Sequence, residues 1–388
     1  MKKFTFHQPK ILNIEVYNSL MEKALERKPN SLLLLINVFN IKLTLDAFEE
    51  ADNYFSKILT HQETTSQTFY DIAKLFYKAE KNGKALICLN KIETVGSLIL
   101  PILILKANCL FRLKQYQEVH KINSRLILQF PEHEEVLFIS AKAAYKNQDF
   151  SNAIEKCNLI LKKNPNSVRT HELLISAHFN INQVPLIEPL INYKELVKTY
   201  SLANQVSSIV NFNAEINQVL DQKAHWMSQP SIYSTKKGDQ LDKILAYEDE
   251  IIKQLTDLFS SRVLDYLNSI KALNLAYFNV QSDTLTYDMW AVRLNSGGHQ
   301  VAHLHPAGWI SGVYYTSLPK LNKTLNEGAL EFGVDYPKTK FKSLYTVQPE
   351  EGTLILFPSY YLHQTVPFES KKQRICISFD VYPYTKDS

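Results

Sequence analysis

Glycine is scarce before Met289. Only Gly83, Gly96 and Gly238 precede it in a chain of 388 residues, whereas seven follow it: Gly297, Gly298, Gly308, Gly312, Gly328, Gly333 and Gly352. Short-stranded sheets need glycine at turns and bulges, and helical arrays seldom do, so the scarcity argues against a sheet in the first part and for one in the last. Cysteine is limited to Cys88, Cys109, Cys157 and Cys376, with no C-x-x-C pair. That spacing excludes a disulfide framework, and a reducing cytoplasm suits it best. The longest apolar runs, Leu32 to Ile36 and Leu98 to Leu105, are core-helix length, so no membrane span is expected. The start, Met1-Lys2-Lys3-Phe4, leads to polar residues and Pro9 rather than to an apolar leader. Charge of one sign is lacking too: 43 basic and 39 acidic residues give +4 without long basic runs, so nucleic acid is not an expected partner. What is abundant is apolar material, 45% of the chain, enough for two domains or a repeat array joined to one.

A period of 34 residues aligns Pro131 with Pro165, Tyr116 with Phe150, Ala107 with Ala141, and Val119 with Ala153. Extended backwards, the register meets Ala73 and Ala85, then Phe48 and Ala51, and ends near Pro29. Small residues at fixed positions let paired helices approach, an aromatic fills the gap between neighbours, and a proline stops each unit. The pattern resembles tetratricopeptide repeats over roughly residues 15 to 180, without the usual first-helix tryptophan and glycine. About four units are expected, the N-terminal one incomplete. Their His120, His133, His171 and His178 are expected at the surface or at caps.

From 181 to 285 the period fades into helical patterns, Asp239 to Phe259 and Ser260 to Leu273, with a polar stretch at 228 to 231 between the repeats and these helices. After Tyr287 strands are expected at Met289 to Leu294, Val301 to His305, Trp309 to Ser317, Ala329 to Phe332, Thr353 to Phe357 and Arg374 to Val381. The expected organisation is therefore repeats at 1–180, connecting and barrel-supporting helices at 181–285, and a β core at 286–388.

Chemistry concentrates in that core. Residues two apart on a strand share a face, so His303 and His305 can reach one point, and His363 follows the strand Leu-Ile-Leu-Phe-Pro-Ser. Neutral imidazoles suit iron, zinc, copper or nickel. By itself H-x-H also fits a surface pair or a zinc site.

The succession His303-Leu304-His305-Pro306-Ala307-Gly308-Trp309-Ile310-Ser311-Gly312-Val313-Tyr314-Tyr315, then Gly-Ala-Leu-Glu-Phe-Gly, Gly-Thr-Leu-Ile-Leu-Phe-Pro, His363 and Arg374, is more specific. It resembles the double-stranded β-helix (jelly-roll) of the 2-oxoglutarate- and iron(II)-dependent oxygenases, strongly over 285 to 383. The resemblance implies metal ligands at His303 and His363, and it places His305 where a carboxylate is usual. His305 either ligates as a third imidazole or turns away and leaves its place to water, with Glu331, Asp335 and Asp380 as carboxylates able to complete a conventional set. It further implies that Arg374 holds the 2-oxoglutarate carboxylate, with Tyr315, Ser311 and, more weakly, Arg293 as further contacts. The implied reaction consumes O2 and 2-oxoglutarate, releases succinate and hydroxylates a peptide, protein or small molecule, the repeats offering a concave surface for the partner. Two other classes fit the residues: an interaction scaffold whose barrel has lost activity with its carboxylate, and a cupin-type metal-binding barrel that has no need of Arg374.

Overall fold

A computed structural model of the chain describes residues 3–5, 14–92, 99–223, 226–228, 234–280, 282, 284–336 and 341–383. The polar residues 229–231 and the start of the chain before Lys3 lie outside the described residues. Two compact units emerge: Ile11–Asn147, and Met1–Lys10 together with Gln148–Ser388.

The helices recur as the sequence period requires. First helices are Leu32–Thr44, Ser66–Lys78, Ile99–Arg112, Glu134–Lys146 and Val168–Asn180, and second helices are Phe48–Thr60, Asn82–Asn90, Tyr116–Gln129 and Phe150–Lys163. Within the first unit the single helix Ile14–Arg27 precedes three helix pairs and then Glu134–Lys146; within the second unit Phe150–Lys163 packs with Val168–Asn180, after which come two short 3-10 turns. The last two helices, Phe150–Lys163 and Val168–Asn180, fall within the second compact unit. Ala51, Ala73, Ala85, Ala107, Val119, Ala141 and Ala153 are all fully buried, as close helix approach demands. In the first unit Phe39, Phe55 and Phe76 pack edge-on or stacked at 4.8–6.1 Å.

Each first helix ends on a left-handed residue, at Asp46, Glu80, Lys114, Gln148 and Asn182, all with φ of 56–62°. The residue after it closes the turn by a 6→1 bond, as in Ala47 N–H to Lys42 O (2.9 Å), Lys81 N–H to Phe76 O (2.8 Å) and Gln115 N–H to Leu110 O (2.9 Å). Glycine is usual at this position because a Cβ costs about 1 kcal/mol there, yet none of the five is glycine. Exposed Lys114→Gly is therefore expected to stabilise the protein by up to about 1 kcal/mol, less glycine's greater flexibility when unfolded, seen as a higher urea midpoint at unchanged slope. A lower midpoint would mean that the lysine side chain contributes more than its backbone costs.

The second unit contains β1 Lys3–Thr5, β2 Lys198–Ser201, β3 Met227–Ser228, β4 Thr235–Leu241, β5 Thr284–Gln300, β6 Ile310–Ser317, β7 Leu330–Val334, β8 Lys342–Val347, β9 Thr353–Pro358, β10 Leu362–Thr365 and β11 Arg374–Pro383. They form a large sheet in the order β2-β9-β6-β11-β5-β4-β3, with β1 parallel to β5, and a small antiparallel sheet β10-β7-β8. The two sheets pack together where Phe332 of β7 meets Phe357 of β9 at 4.9 Å.

The helix expected from Asp239 begins later. Residues 235–241 pair with the long β5, Lys243 and Glu248 adopt left-handed φ, and one continuous helix Glu250–Ile270 starts at Asp249, whose carboxylate caps Ile251 N–H. Pairing along β5 outweighs local helix preference here. This helix buries Ile252, Leu255, Phe259, Val263, Tyr266 and Ile270, a 3.6-residue stripe. Phe259 stacks on Phe379 of β11 at 4.6 Å and meets Tyr314 of β6 at 5.6 Å. The large sheet is thus covered on its Tyr314/Phe379 face, and Gly312 lies directly across from Phe379, whose ring a Cβ would enter. The opposite face carries Ser311, Val313 and Tyr315 beside Asp380, Ser378 and Cys376, in that register. Among the described residues no helix is long and apolar enough to cross a membrane.

Candidate metal centre

The strand expected at Val301 to His305 is reduced to a single bridge, His303 with His363, in which each main-chain N–H donates to the other's carbonyl at 2.9 and 3.0 Å. Val301 N–H already donates to Ser234 O, and Pro306 has no N–H, so no longer ladder forms. The bridge and the short H-x-H spacing nevertheless bring the three imidazoles together. Their ring centres are 4.3, 5.0 and 5.2 Å apart, and one nitrogen from each lies within 4.8 Å of the others.

Every Nδ1 is already engaged. His303 Nδ1 meets Val301 O and His363 Nδ1 meets Tyr361 O, both at 2.8 Å, and His305 Nδ1 lies 2.6 Å from Asp380 Oδ1. Carbonyl and carboxylate oxygens only accept, so the proton sits on Nδ1 and each Nε2 lone pair is left for a metal. His363 is buried and the other two are half-buried. Burial, then its neighbour His305, lowers the His303 pKa to about 3, and burial followed by His303 and His305 holds His363 well below its ordinary value. Both are neutral near pH 7, the state in which imidazole ligates.

Around the cluster, Trp290 of β5 lies 5.3 Å from His305, and Phe357 lies 5.0 Å from His363. Asp380 also accepts from Ser311 Oγ at 2.7 Å, and Ser311 shares a hydrogen bond with buried Ser359 at 2.8 Å. Gly308 lets its loop sit against this group: a Cβ there would lie 2.6 Å from Ser359 Oγ and 2.9 Å from Asp380 Cγ.

On the same inner face, Arg374 is buried with 1% exposure. Its guanidinium lies 4.9 Å from the Tyr315 ring centre, and among the described residues it donates one weak hydrogen bond, from Nη1 to Cys376 Sγ at 3.5 Å. Arg374 Nε and Tyr315 Oη are both buried without a hydrogen-bond partner, and among the described residues no carboxylate lies within ion-pair distance of Arg374. Burial raises the Tyr315 pKa, against the pull of the Arg374 cation, so the phenol remains a donor.

Other candidate residues lie elsewhere. Arg293 faces Asp239 (2.8 Å) and Asp221 (3.4 Å) and covers Trp226, away from Arg374. Ser311 serves Asp380 and His305. Glu331 pairs with Gln364, whereas its neighbour Phe332 is the residue opposite His363, so Glu331 points to the other face. The Asp335 main chain is held by Ser176. His120 and His133 are exposed, but His171 and His178 are buried, contrary to expectation, because the helix Val168–Asn180 packs into the second unit's core. Trp290 and Ser359 carried no motif signal. Asp380 could have been recognised as a partner of His305 from its alternation with Arg374.

Residues 288–380 match a family model described as "Putative 2OG-Fe(II) oxygenase". Among curated proteins none matches the chain. Among solved structures, the chain is similar to a Pseudomonas putida prolyl-4-hydroxylase, at 11% identity and TM-score 0.35, covering 53% of this chain and 98% of that one. It is also similar to HygX from Streptomyces hygroscopicus, solved with nickel and 2-oxoglutarate bound, at 10% identity and TM-score 0.35, covering 50% and 86%. YrrB, described as a TPR protein with an unusual peptide-binding site, is similar at 14% identity and TM-score 0.32, covering 42% and 84%. The segment 288–380 that carries His303, His305, His363, Tyr315 and Arg374 is thus the part of the chain that matches the 2OG-Fe(II) oxygenase family model, and helical repeats resembling tetratricopeptide units precede it.

Proposed function

We propose that the protein is an iron(II)- and 2-oxoglutarate-dependent dioxygenase that hydroxylates a peptide or protein presented by its repeats. The observation that carries this reading is Arg374, a buried cation with no carboxylate within ion-pair distance among the described residues. Burying a charge without a counter-ion is costly, so such a site is built for an anion from outside. The planar fork of Arg374 and the Tyr315 hydroxyl offer donors to one carboxylate of 2-oxoglutarate.

Three imidazoles with engaged Nδ1 atoms are a donor set that fits Fe(II), and His303, His305 and His363 would hold it through Nε2. Bound there, iron(II) with 2-oxoglutarate and O2 supplies the oxidant that turns C–H into C–OH, releasing succinate and CO2. The chain's own part is to orient the imidazoles, hold the co-substrate carboxylate, and exclude water with Trp290, Phe332 and Phe357. Anaerobic titration of the iron-loaded protein with 2-oxoglutarate tests this, the expected result being a weak visible charge-transfer band that saturates with co-substrate. Bound iron with no band and no succinate release would favour the inactive-scaffold or cupin-type reading.

A further inference from the structure

The site has no carboxylate among its three converging ligand atoms, yet a carboxylate lies directly behind one of them. Asp380 Oδ1 is 2.6 Å from His305 Nδ1, and the same oxygen accepts from Ser311 Oγ at 2.7 Å. Ser311 is fully buried and is itself held by Ser359, also fully buried, so the carboxylate cannot swing away freely. Gly308 packs against the same group: a Cβ there would lie 2.9 Å from the Asp380 carboxyl carbon. Glu331 of β7 pairs with Gln364 and faces away.

We propose that Asp380 is the positioning residue of the metal centre: it fixes His305 as the Nδ1–H tautomer and supplies through that imidazole the negative charge that a directly bound carboxylate would otherwise give. The proposal rests on the reading of His303, His305 and His363 as ligands. A carboxylate behind a ligating imidazole raises its basicity, and loss of such a partner typically costs about 10- to 100-fold in metal affinity. The charge is thus retained one residue further from the metal, and the coordination sphere keeps its open positions.

The test uses the full-length protein, anaerobic Co(II) titration, and Asp380→Asn, which keeps the size of the side chain and removes its charge. Asp380→Asn is expected to bind Co(II) about 10- to 100-fold more weakly, with shifted d–d absorption bands and an unchanged melting point of the metal-free protein. Wild-type Co(II) affinity and bands in Asp380→Asn would overturn the inference while leaving the ligand set standing. Failure of the wild type to bind Co(II) would overturn the ligand set, and the inference with it. A second measurement needs no variant: histidine-selective 15N spectra of the Zn(II)-loaded wild type should show His305 with its proton on Nδ1. A proton on Nε2 would overturn the proposal.

Discussion

Replacing Arg374 by leucine is expected to make the metal-free, co-substrate-free protein more stable by about 1–4 kcal/mol, while weakening 2-oxoglutarate binding by about ten- to a hundredfold or more. The two effects share one cause. Without co-substrate the guanidinium is desolvated and, among the described residues, has a weak bond to Cys376 and leaves Nε unpartnered, so its approach to the Tyr315 ring is the main offset to its burial. A cation over an aromatic face returns about 0.5–2 kcal/mol, less than an unpaired buried charge costs. Leucine removes that burden and fills most of the space, but leaves the incoming carboxylate without its fork. Arg374→Lys should recover part of the binding, because a point charge cannot make two parallel bonds. Denaturant unfolding with and without 2-oxoglutarate reads both effects. A leucine variant that is less stable, yet needs no more 2-oxoglutarate for succinate release, would show that the cation serves the core and not a co-substrate.

Acidification should unfold the second unit through His171. Its ring lies 5.0 Å from Tyr360, nearly parallel, and 5.1 Å from Tyr277, edge-on, with Nδ1 bonded to Ser167 O at 3.0 Å. Burial lowers its pKa from 6.5 to about 4 against the weaker pull of that carbonyl. The unfolded chain therefore takes up a proton at higher pH than the folded one. Stability from this residue is complete above pH 6.5 and falls as the pH drops from 6.5 to about 4, by roughly 3 kcal/mol in all. His178, His303 and His363 are lowered by burial as well and act in the same direction. His171→Phe keeps an aromatic between the two tyrosines and should flatten the fall in unfolding free energy between pH 7 and pH 4 by that amount. An unchanged slope in the variant would mean that the imidazole is reached by water and titrates normally.

The repeat architecture was legible because its signal is additive: small residues at one spacing all proved to be buried, and Phe48, Tyr116 and Phe150 each begin a second helix. The strands with β-branched or aromatic alternation, such as Ile310–Ser317 and Arg374–Pro383, were also readable, since one face had to carry the site and the other the helix cover. Strands whose pairing is imposed by a partner were not. Thr235–Leu241 contains Lys236, Lys237 and Gly238 and exists because β5 is long enough to hold a second neighbour. At the site, residue types exposed the histidines, Tyr315 and Arg374, whereas the role of Asp380 is a matter of distance, as is the placement of Arg293 against Asp239 and Asp221. His171 misled because a histidine in a polar-looking helix gives no sign that two tyrosines far along the chain will enclose it.

The bridge between His303 and His363 joins segments sixty residues apart, and it is the only ladder contact its first partner makes. Such a closure carries the loop entropy of everything between, including β6, β7, β8 and β9, and is expected to form after those strands have paired. A metal arriving at the three imidazoles meets a finished nest rather than a nucleus. A metal held there would have little to offer the folding rate; its free energy is expected to appear almost wholly as slower unfolding, so that a loaded domain would gain its lifetime by holding the last-made contact closed.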